Sequence, residues 1–593
     1  MAAPTAPGLP DPDAARLALG RVFTEAWAAF HQLPAQAGRL GEPLPFDPSA
    51  QVAAAVKFQM ALWSDPVRAA NLQWDAWREW RALWDDTLRR LGGSAGEPAA
   101  VPVKADRRFS HSAWTDQPWF AHIKEAYLLA NRQLTRLVEQ VEDLDPDTRT
   151  RVQFMVRQYL DGMAPTNFAA SNPEVLERTF ETGGVNLLAG LANLLADVAS
   201  GKGLVSRRAR DSFELGVNLA ATPGGVVLQT ELFQLIQYAP TTKQVARRPL
   251  LYIPPLVNRY YLVDLQPKSS LLKWLVDAGF TVFTVSWVNP GPDLHDQDLA
   301  SYVVDGVVRA MDAVADLTGE PVVDMAGFCM GGTLAAAAAA YLAGAGRGAR
   351  LGALTLIGTL LDFSDLREWS TFAGDSDLKA LDAHLAAKGY VSSEDLQKLF
   401  SLMRANDLIW SSVVSHYLLD REAPPSDILF WFADGARIPA AFLSTYGDQL
   451  LRRNLLREPG GVSLRGVGLD LGRVTAPVLV LSLKDDHVTA WEATYAGARL
   501  FGGPAQFMLG GSGHNAGVIN PPSANKHGYW LNAELPERAD AWLASAEKRN
   551  GSWWPTWQAW LASHDDETRP ARTPGCGKAA VLEPAPGSFV RTR

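Results

Sequence analysis

Cysteine is nearly absent, with Cys329 and Cys576 the only two in 593 residues. Two thiols cannot staple a chain of this size, which excludes a disulfide scaffold and fits a reducing compartment. Long apolar runs are also missing. The most membrane-like stretch, residues 334–345, is alanine-rich and falls short of the ~20 apolar residues that cross a bilayer, so it reads as a buried helix and no transmembrane segment is expected. Basic blocks are short, Arg207-Arg208 being typical, and the net charge is −9, which excludes the electrostatic footprint of a nucleic-acid binder. The opening MAAPTAPGLPDPDAARLALG has no basic start followed by an apolar run, so no signal or transit peptide is expected and the cytoplasm is the expected location.

What is present is the balance of a globular protein, 47% apolar and 20% charged, on a chain long enough for two domains. Residues 1–210 read as a mainly helical N-terminal domain. Trp74, Trp77, Trp80 and Trp84 recur at three- and four-residue steps, which predicts a helix whose tryptophan face packs in a core, a surface for an apolar partner being the alternative. Gly92-Gly93-Ser94-Ala95-Gly96 reads as a linker.

Residues 211–593 read as an α/β catalytic domain. Short apolar runs at 226–235, 250–253, 281–287, 322–326, 351–356, 478–483 and 506–509 alternate with helical segments, which predicts a mostly parallel sheet covered on both faces. Between about 362 and 473 the alternation lapses into helical, polar-rich sequence, expected to be an insertion over the carboxyl edge of the sheet that serves as a lid. The tail after 571 is rich in proline and glycine and reads as irregular.

Within this pattern, Val322 to Ala326 lead into Gly327-Phe328-Cys329-Met330-Gly331-Gly332 and then an alanine-rich helix. Strand, tight turn and helix match the nucleophile elbow of the α/β-hydrolase fold, with cysteine in place of serine. Small residues are needed there because strand and helix approach closely, and the helix start directs free amides at the thiol. The backbone N–H of Met330 is therefore a candidate oxyanion donor, and amides near Leu256 and Val257, after the run ending at Ile253, are candidates for the second.

Such a nucleophile needs a histidine and a carboxylate, supplied in the chain order nucleophile, acid, histidine. Lys484-Asp485-Asp486-His487 follows one late strand and Ser512-Gly513-His514-Asn515 the last. The expected triad is Cys329, an aspartate at 485 or 486 that spacing alone does not choose, and His514. His487 is a rival base without a carboxylate strand ahead of it. His295, Asp296 and Asp298 read as a solvated loop rather than a metal site, and Cys576 as an incidental tail thiol.

These motifs resemble the polyhydroxyalkanoate synthases, most closely the class I type. The likeness includes Asn258-Arg259-Tyr260-Tyr261-Leu262-Val263-Asp264-Leu265-Gln266-Pro267, Arg404-Ala405-Asn406-Asp407-Leu408, the cysteine and histidine blocks above, and Gly551-Ser552-Trp553-Trp554-Pro555. The resemblance implies an acyltransferase with Cys329, Asp486 and His514 as catalytic triad. It implies polymerisation of (R)-3-hydroxyacyl-CoA, short-chain such as 3-hydroxybutyryl-CoA, into polyester through a cysteinyl thioester, with coenzyme A as product and no metal or bound cofactor. It further implies a homodimer on the surface of cytoplasmic polymer granules, in company with granule-associated proteins. Three departures stand out. Leu256 occupies a place where class I members often carry a second cysteine, Val488-Thr489-Ala490-Trp491 replaces the usual Ile-Val-Pro-Trp, and Phe430-Trp431-Phe432-Ala433-Asp434-Gly435-Ala436 lacks the usual asparagine and threonine.

Overall fold

A computed structural model describes residues 11–38, 45–93, 100, 106–201, 205, 212–422 and 424–593. Most of the expected linker, from Ser94 to Gly96, lies outside them. Two compact units form. The first takes the N-terminal region to Ala209 together with Lys398–Pro424, and the second takes Pro43–Phe46, Arg210–Gln397 and Pro425–Arg593. The stretch expected to be one insertion over the sheet is thus shared between the units.

The first unit is helical because its sequence repeatedly spells a helix start. Asp or Asn followed by Pro opens the helices Pro48–Ser64, Pro66–Leu91, Pro146–Gly162 and Pro173–Thr182. In each, the side chain of Asp47, Asp65, Asp145 or Asn172 accepts a hydrogen bond from a first-turn amide. The tryptophan face of Pro66–Leu91 does not enter a core: Trp74, Trp77 and Trp84 are 50–58% exposed. The helix buries a different face, carrying Ala69, Leu83, Asp86 and Thr87. Polar pairing explains the choice, since Thr87 meets His122 Nδ1 at 2.8 Å and Arg90 donates to Glu125 at 2.7 Å. Trp74 and Trp77 stack on each other instead, with ring centroids 5.1 Å apart. Among the described residues no single helix is long and apolar enough to cross a membrane, although the pair Pro173–Thr182 and Val185–Ser200, broken by 108°, passes by length and composition together.

The second unit is built on an eleven-stranded sheet. Its strands are β1 Gly224–Gln229, β2 Phe233–Tyr238, β3 Leu250–Ile253, β4 Val282–Trp287, β5 Val323–Phe328, β6 Leu351–Ile357, β7 Val478–Leu483, β8 Ala505–Gly510, β9 Tyr529–Asn532, β10 Glu547–Arg549 and β11 Glu583–Pro584. The spatial order is 10-9-8-7-6-5-3-4-2-1-11. Strands β3 to β8 pair in parallel, and the flanking strands add antiparallel edges. This is the α/β-hydrolase fold, preceded by helices, with more antiparallel edge than the apolar runs suggest.

The run 226–235, read as one strand, is a hairpin. No Gly, Pro or Asn marks its turn; the Thr230 hydroxyl accepts from the amides of Leu232 and Phe233 at 3.2 and 3.0 Å and closes it. Alternate residues of the central strands feed two cores, Leu251 and Ile253 on one face and Leu250 and Tyr252 on the other. The alanine-rich segment is the helix Met330–Gly344, whose small side chains let it lie buried against the sheet. The tail, expected to be irregular, contributes edge strand β11, paired with β1, followed by a 3-10 turn at Phe589–Arg591.

Candidate active site

Strand β5 is central and buried along its whole length, so the residue that follows it is held rigidly at the carboxyl end of the sheet. That residue is Cys329, with φ 54° and ψ −128°, a conformation that L-residues adopt only under tertiary constraint. The constraint is visible. The Cys329 amide donates to Ile357 O at 2.8 Å, and its carbonyl accepts from Gly332 N at 2.9 Å. A Cβ at Gly331 would sit 2.3 Å from the Ile253 carbonyl oxygen, and one at Gly327 2.6 Å from the Gly332 Cα. Both glycines are therefore required by close approach of strand, elbow and helix.

Met330 is the first residue of the helix, so its amide stands at the positive end beside the thiol. Val257 lies in the loop after β3, and its carbonyl accepts from Ala436 N at 3.3 Å. That loop is tied to the 430–436 segment three more times. Trp431 Nε1 donates to Arg259 O at 2.7 Å, Tyr261 Oη donates to Asp434 Oδ2 at 2.8 Å, and Asn258 forms a β-bridge with Gly435. The segment that departs from the family pattern thus braces the loop carrying Val257.

Asp486 and His514 follow the adjacent parallel strands β7 and β8, which places both at the same sheet edge as Cys329. His514 Nδ1 lies 2.6 Å from Asp486 Oδ2. Asp485 contributes a backbone amide to Ser512 O instead, so the geometry separates the two aspartates. Asp486 is saturated with donors. Its Oδ1 accepts from Val488 N at 2.7 Å and Thr489 N at 2.9 Å, and its Oδ2 from Thr489 Oγ1 at 2.8 Å. Thr489, one of the departures from the family pattern, therefore adds a hydrogen bond to the acid.

Electrostatics follow from this burial. Desolvation alone would lower the His514 pKa, but the Asp486 carboxylate and then Cys329, by charge and hydrogen bonding, raise it well above the ordinary histidine value. Burial would raise the Asp486 carboxyl, but His514 and the amides of Thr489 and Val488 hold it below the usual range. The raised pKa makes His514 a ready acceptor for a proton, held in place by a carboxylate on its other side, as a general base for a thiol must be.

Several residues escaped sequence reasoning. The Phe328 ring lies 4.8 Å from the His514 ring. Gly358, at φ 51°, leaves room for the imidazole, since a Cβ there would sit 3.2 Å from His514 Cε1. Trp553 Nε1 donates to Gly517 O at 2.9 Å and Trp554 Nε1 to Val518 O at 3.0 Å, pinning the loop that carries His514. Phe328, Trp553 and Trp554 stand in motifs that carry the family resemblance and Gly358 in none, and spacing along the chain does not show which of them touch the histidine loop. Cys576 lies apart from this group, its Sγ 3.4 Å from Gln237 Nε2, and burial raises its thiol pKa. His295 donates to its own loop at Pro292 O.

Comparison with known proteins bears on the whole chain. The family described as poly-beta-hydroxybutyrate polymerase (PhaC) N-terminus matches residues 105–275, and the alpha/beta hydrolase fold family matches 261–521. The poly(3-hydroxyalkanoate) polymerase of Methylorubrum extorquens is 40% identical over 89% of this chain and 88% of its own. The poly(3-hydroxyalkanoate) polymerase subunit PhaC of Rhizobium meliloti (strain 1021) is 36% identical over 96% and 92%, and that of Cupriavidus necator H16 is 37% identical over 89% of each.

Proposed function

This chain belongs to the poly(3-hydroxyalkanoate) polymerase family, and on that premise we propose that Cys329 is the atom on which its polyester grows. The observation that carries the proposal is the cysteine elbow at the edge where Asp486 and His514 are hydrogen-bonded at 2.6 Å. The substrate we assign is a short-chain (R)-3-hydroxyacyl-CoA such as 3-hydroxybutyryl-CoA, and the subtype is class I.

His514 takes the Cys329 proton. The thiolate attacks the thioester carbonyl, the Met330 and Val257 amides take the developing oxyanion, and the carbon–sulfur bond to coenzyme A breaks. His514 gives its proton to the departing sulfur. Neutral His514 then takes the proton of the 3-hydroxyl of a second hydroxyacyl-CoA as that oxygen attacks the acyl-Cys329 carbonyl. A carbon–oxygen ester bond forms, the bond to Sγ breaks, and the thiolate–imidazolium pair returns. Exchange of one thioester for another is nearly balanced in energy, which suits sulfur better than a serine oxygen. Leu256 offers no thiol, so one cysteine carries the cycle. No step calls for a metal or bound cofactor.

Helices of the 362–473 region that belong to the second unit would exclude water from the acyl-enzyme, whose hydrolysis would end chain growth. The exposed tryptophans of Pro66–Leu91 support action of a homodimer at an apolar granule surface in the cytoplasm. The test is thiol release and product analysis with (R)-3-hydroxybutyryl-CoA. Coenzyme A with insoluble polyester is expected, and Cys329→Ala should abolish both. Free 3-hydroxy acid in step with coenzyme A, or near-normal release by C329A, would overturn the proposal.

A further inference from the structure

Strand β3 places one polar group beside the nucleophile that the mechanism above leaves unused. Tyr252 pairs with Ala326 across the parallel ladder, so its side chain leaves the sheet on the same face as Ala326 and Phe328, next to the elbow. The ring is 1% exposed and packs in the same core cluster against which Cys329 rests. Its hydroxyl is buried and has no hydrogen-bond partner among the described residues. Burial, and then the charge of Cys329, keep the phenol well above the ordinary tyrosine range, so it stays a neutral donor and acceptor.

A buried hydroxyl without a partner costs stability that phenylalanine would avoid, because the ring would pack equally well without the oxygen. The Tyr260 hydroxyl is buried and unpartnered as well, whereas Tyr261 donates to Asp434 and Tyr495 to Pro536 O. Of the two, Tyr252 is the one on the strand beside the elbow, where an acyl group would be loaded. On a 3-hydroxyacyl thioester the hydroxyl is two carbons from the carbonyl, hence close to sulfur and able both to donate and to accept. A plain acyl group has nothing to offer the phenol.

We propose that Tyr252 is a specificity-determining residue whose hydroxyl hydrogen-bonds the 3-hydroxyl of the acyl group held at Cys329. The assignment rests on the acyl-transfer reading above. A site built to hydrogen-bond a substrate hydroxyl leaves its own group unpaired when the substrate lacks one, which makes the discrimination steep.

The experiment compares single-turnover acylation of the full chain, read as coenzyme A release, with (R)-3-hydroxybutyryl-CoA and with butyryl-CoA, in wild type and Tyr252→Phe. The expected result is a strong wild-type preference for the hydroxylated substrate that falls about ten- to hundredfold in Y252F, the range of one buried hydrogen bond. The melting temperature of Y252F should equal or exceed that of wild type, since the lost oxygen has no protein partner. A preference unchanged within about twofold, in a folded variant, would overturn the assignment while leaving acyl transfer intact. Absence of release from either substrate by wild type would overturn both.

Discussion

Asp486→Asn tests the candidate triad with almost no change of shape. Oδ1 of Asp486 accepts from two backbone amides, at 2.7 and 2.9 Å, which no rotamer of Thr489 can move. An asparagine must place its carbonyl oxygen there, because turning the NH2 group toward those amides would set donors against donors at hydrogen-bond distance. The NH2 group therefore takes the place of Oδ2 and points at His514 Nδ1, where the carboxylate stands at 2.6 Å in the wild type. Nδ1 must then accept, so the ring carries its proton on Nε2, toward Cys329, and cannot take the thiol proton. The variant also removes the carboxylate, the foremost influence raising the His514 pKa. The same exchange in a serine triad costs about 10⁴ in rate. A thiol ionises more readily than a hydroxyl, so a loss of about 10²–10⁴ in kcat/KM is expected here, or about 3–5 kcal/mol of transition-state stabilisation. Coenzyme A release gives the rate, and the pH profile of Cys329 alkylation by iodoacetamide reports the thiolate, whose appearance should move to higher pH. A folded D486N within tenfold of wild type, with an unchanged alkylation profile, would refute the reasoning.

Other expectations follow from particular contacts. Thr489→Val should cost about 1–2 kcal/mol in chemical denaturation and slow acylation up to about tenfold, because it deletes one of the four hydrogen bonds on Asp486 while keeping the volume. Trp553→Phe strands the Gly517 carbonyl and should lower acylation by about tenfold more than it lowers the melting transition would suggest, with the alkylation profile of Cys329 reporting the shift of the His514 loop. Asp324, buried, with Arg248 at 3.9 Å, has its pKa pushed up to about 7 by burial. The folded state holds that proton more tightly than the unfolded state, so wild type should lose up to about 4 kcal/mol as pH rises from about 4 through about 7 and no more above it. Asp324→Asn should lack this slope in denaturant midpoints taken across that range; parallel profiles would refute the assignment.

The readable parts of this protein were those written in local sequence. The elbow was legible because a strand, a glycine-flanked cysteine and a small-residue helix are consecutive. The positions of the central strands were legible because strands buried on both faces are continuous apolar runs. The hairpin within 226–235 was not, because its turn is closed by a threonine hydroxyl rather than by a residue with turn propensity. The tryptophan face misled for a related reason. Periodicity shows that a face exists, but not which face finds a partner, and ion pairs from Arg90 and Asp86 settled that on another side of the helix.

Sequence by itself determined the class of fold, the family, and the chain order of cysteine, aspartate and histidine, since each is carried by residue type and spacing along one chain. Spacing left two adjacent aspartates open and the family resemblance chose Asp486, but only tertiary structure showed its contact with His514, that Thr489 and two amides hold it, that Trp553 and Trp554 pin the histidine loop, and that the Tyr252 hydroxyl is left without a partner beside Cys329. Those are contacts between residues separated by dozens to hundreds of positions. Their distances depend on how strands register and helices pack, which no local pattern encodes.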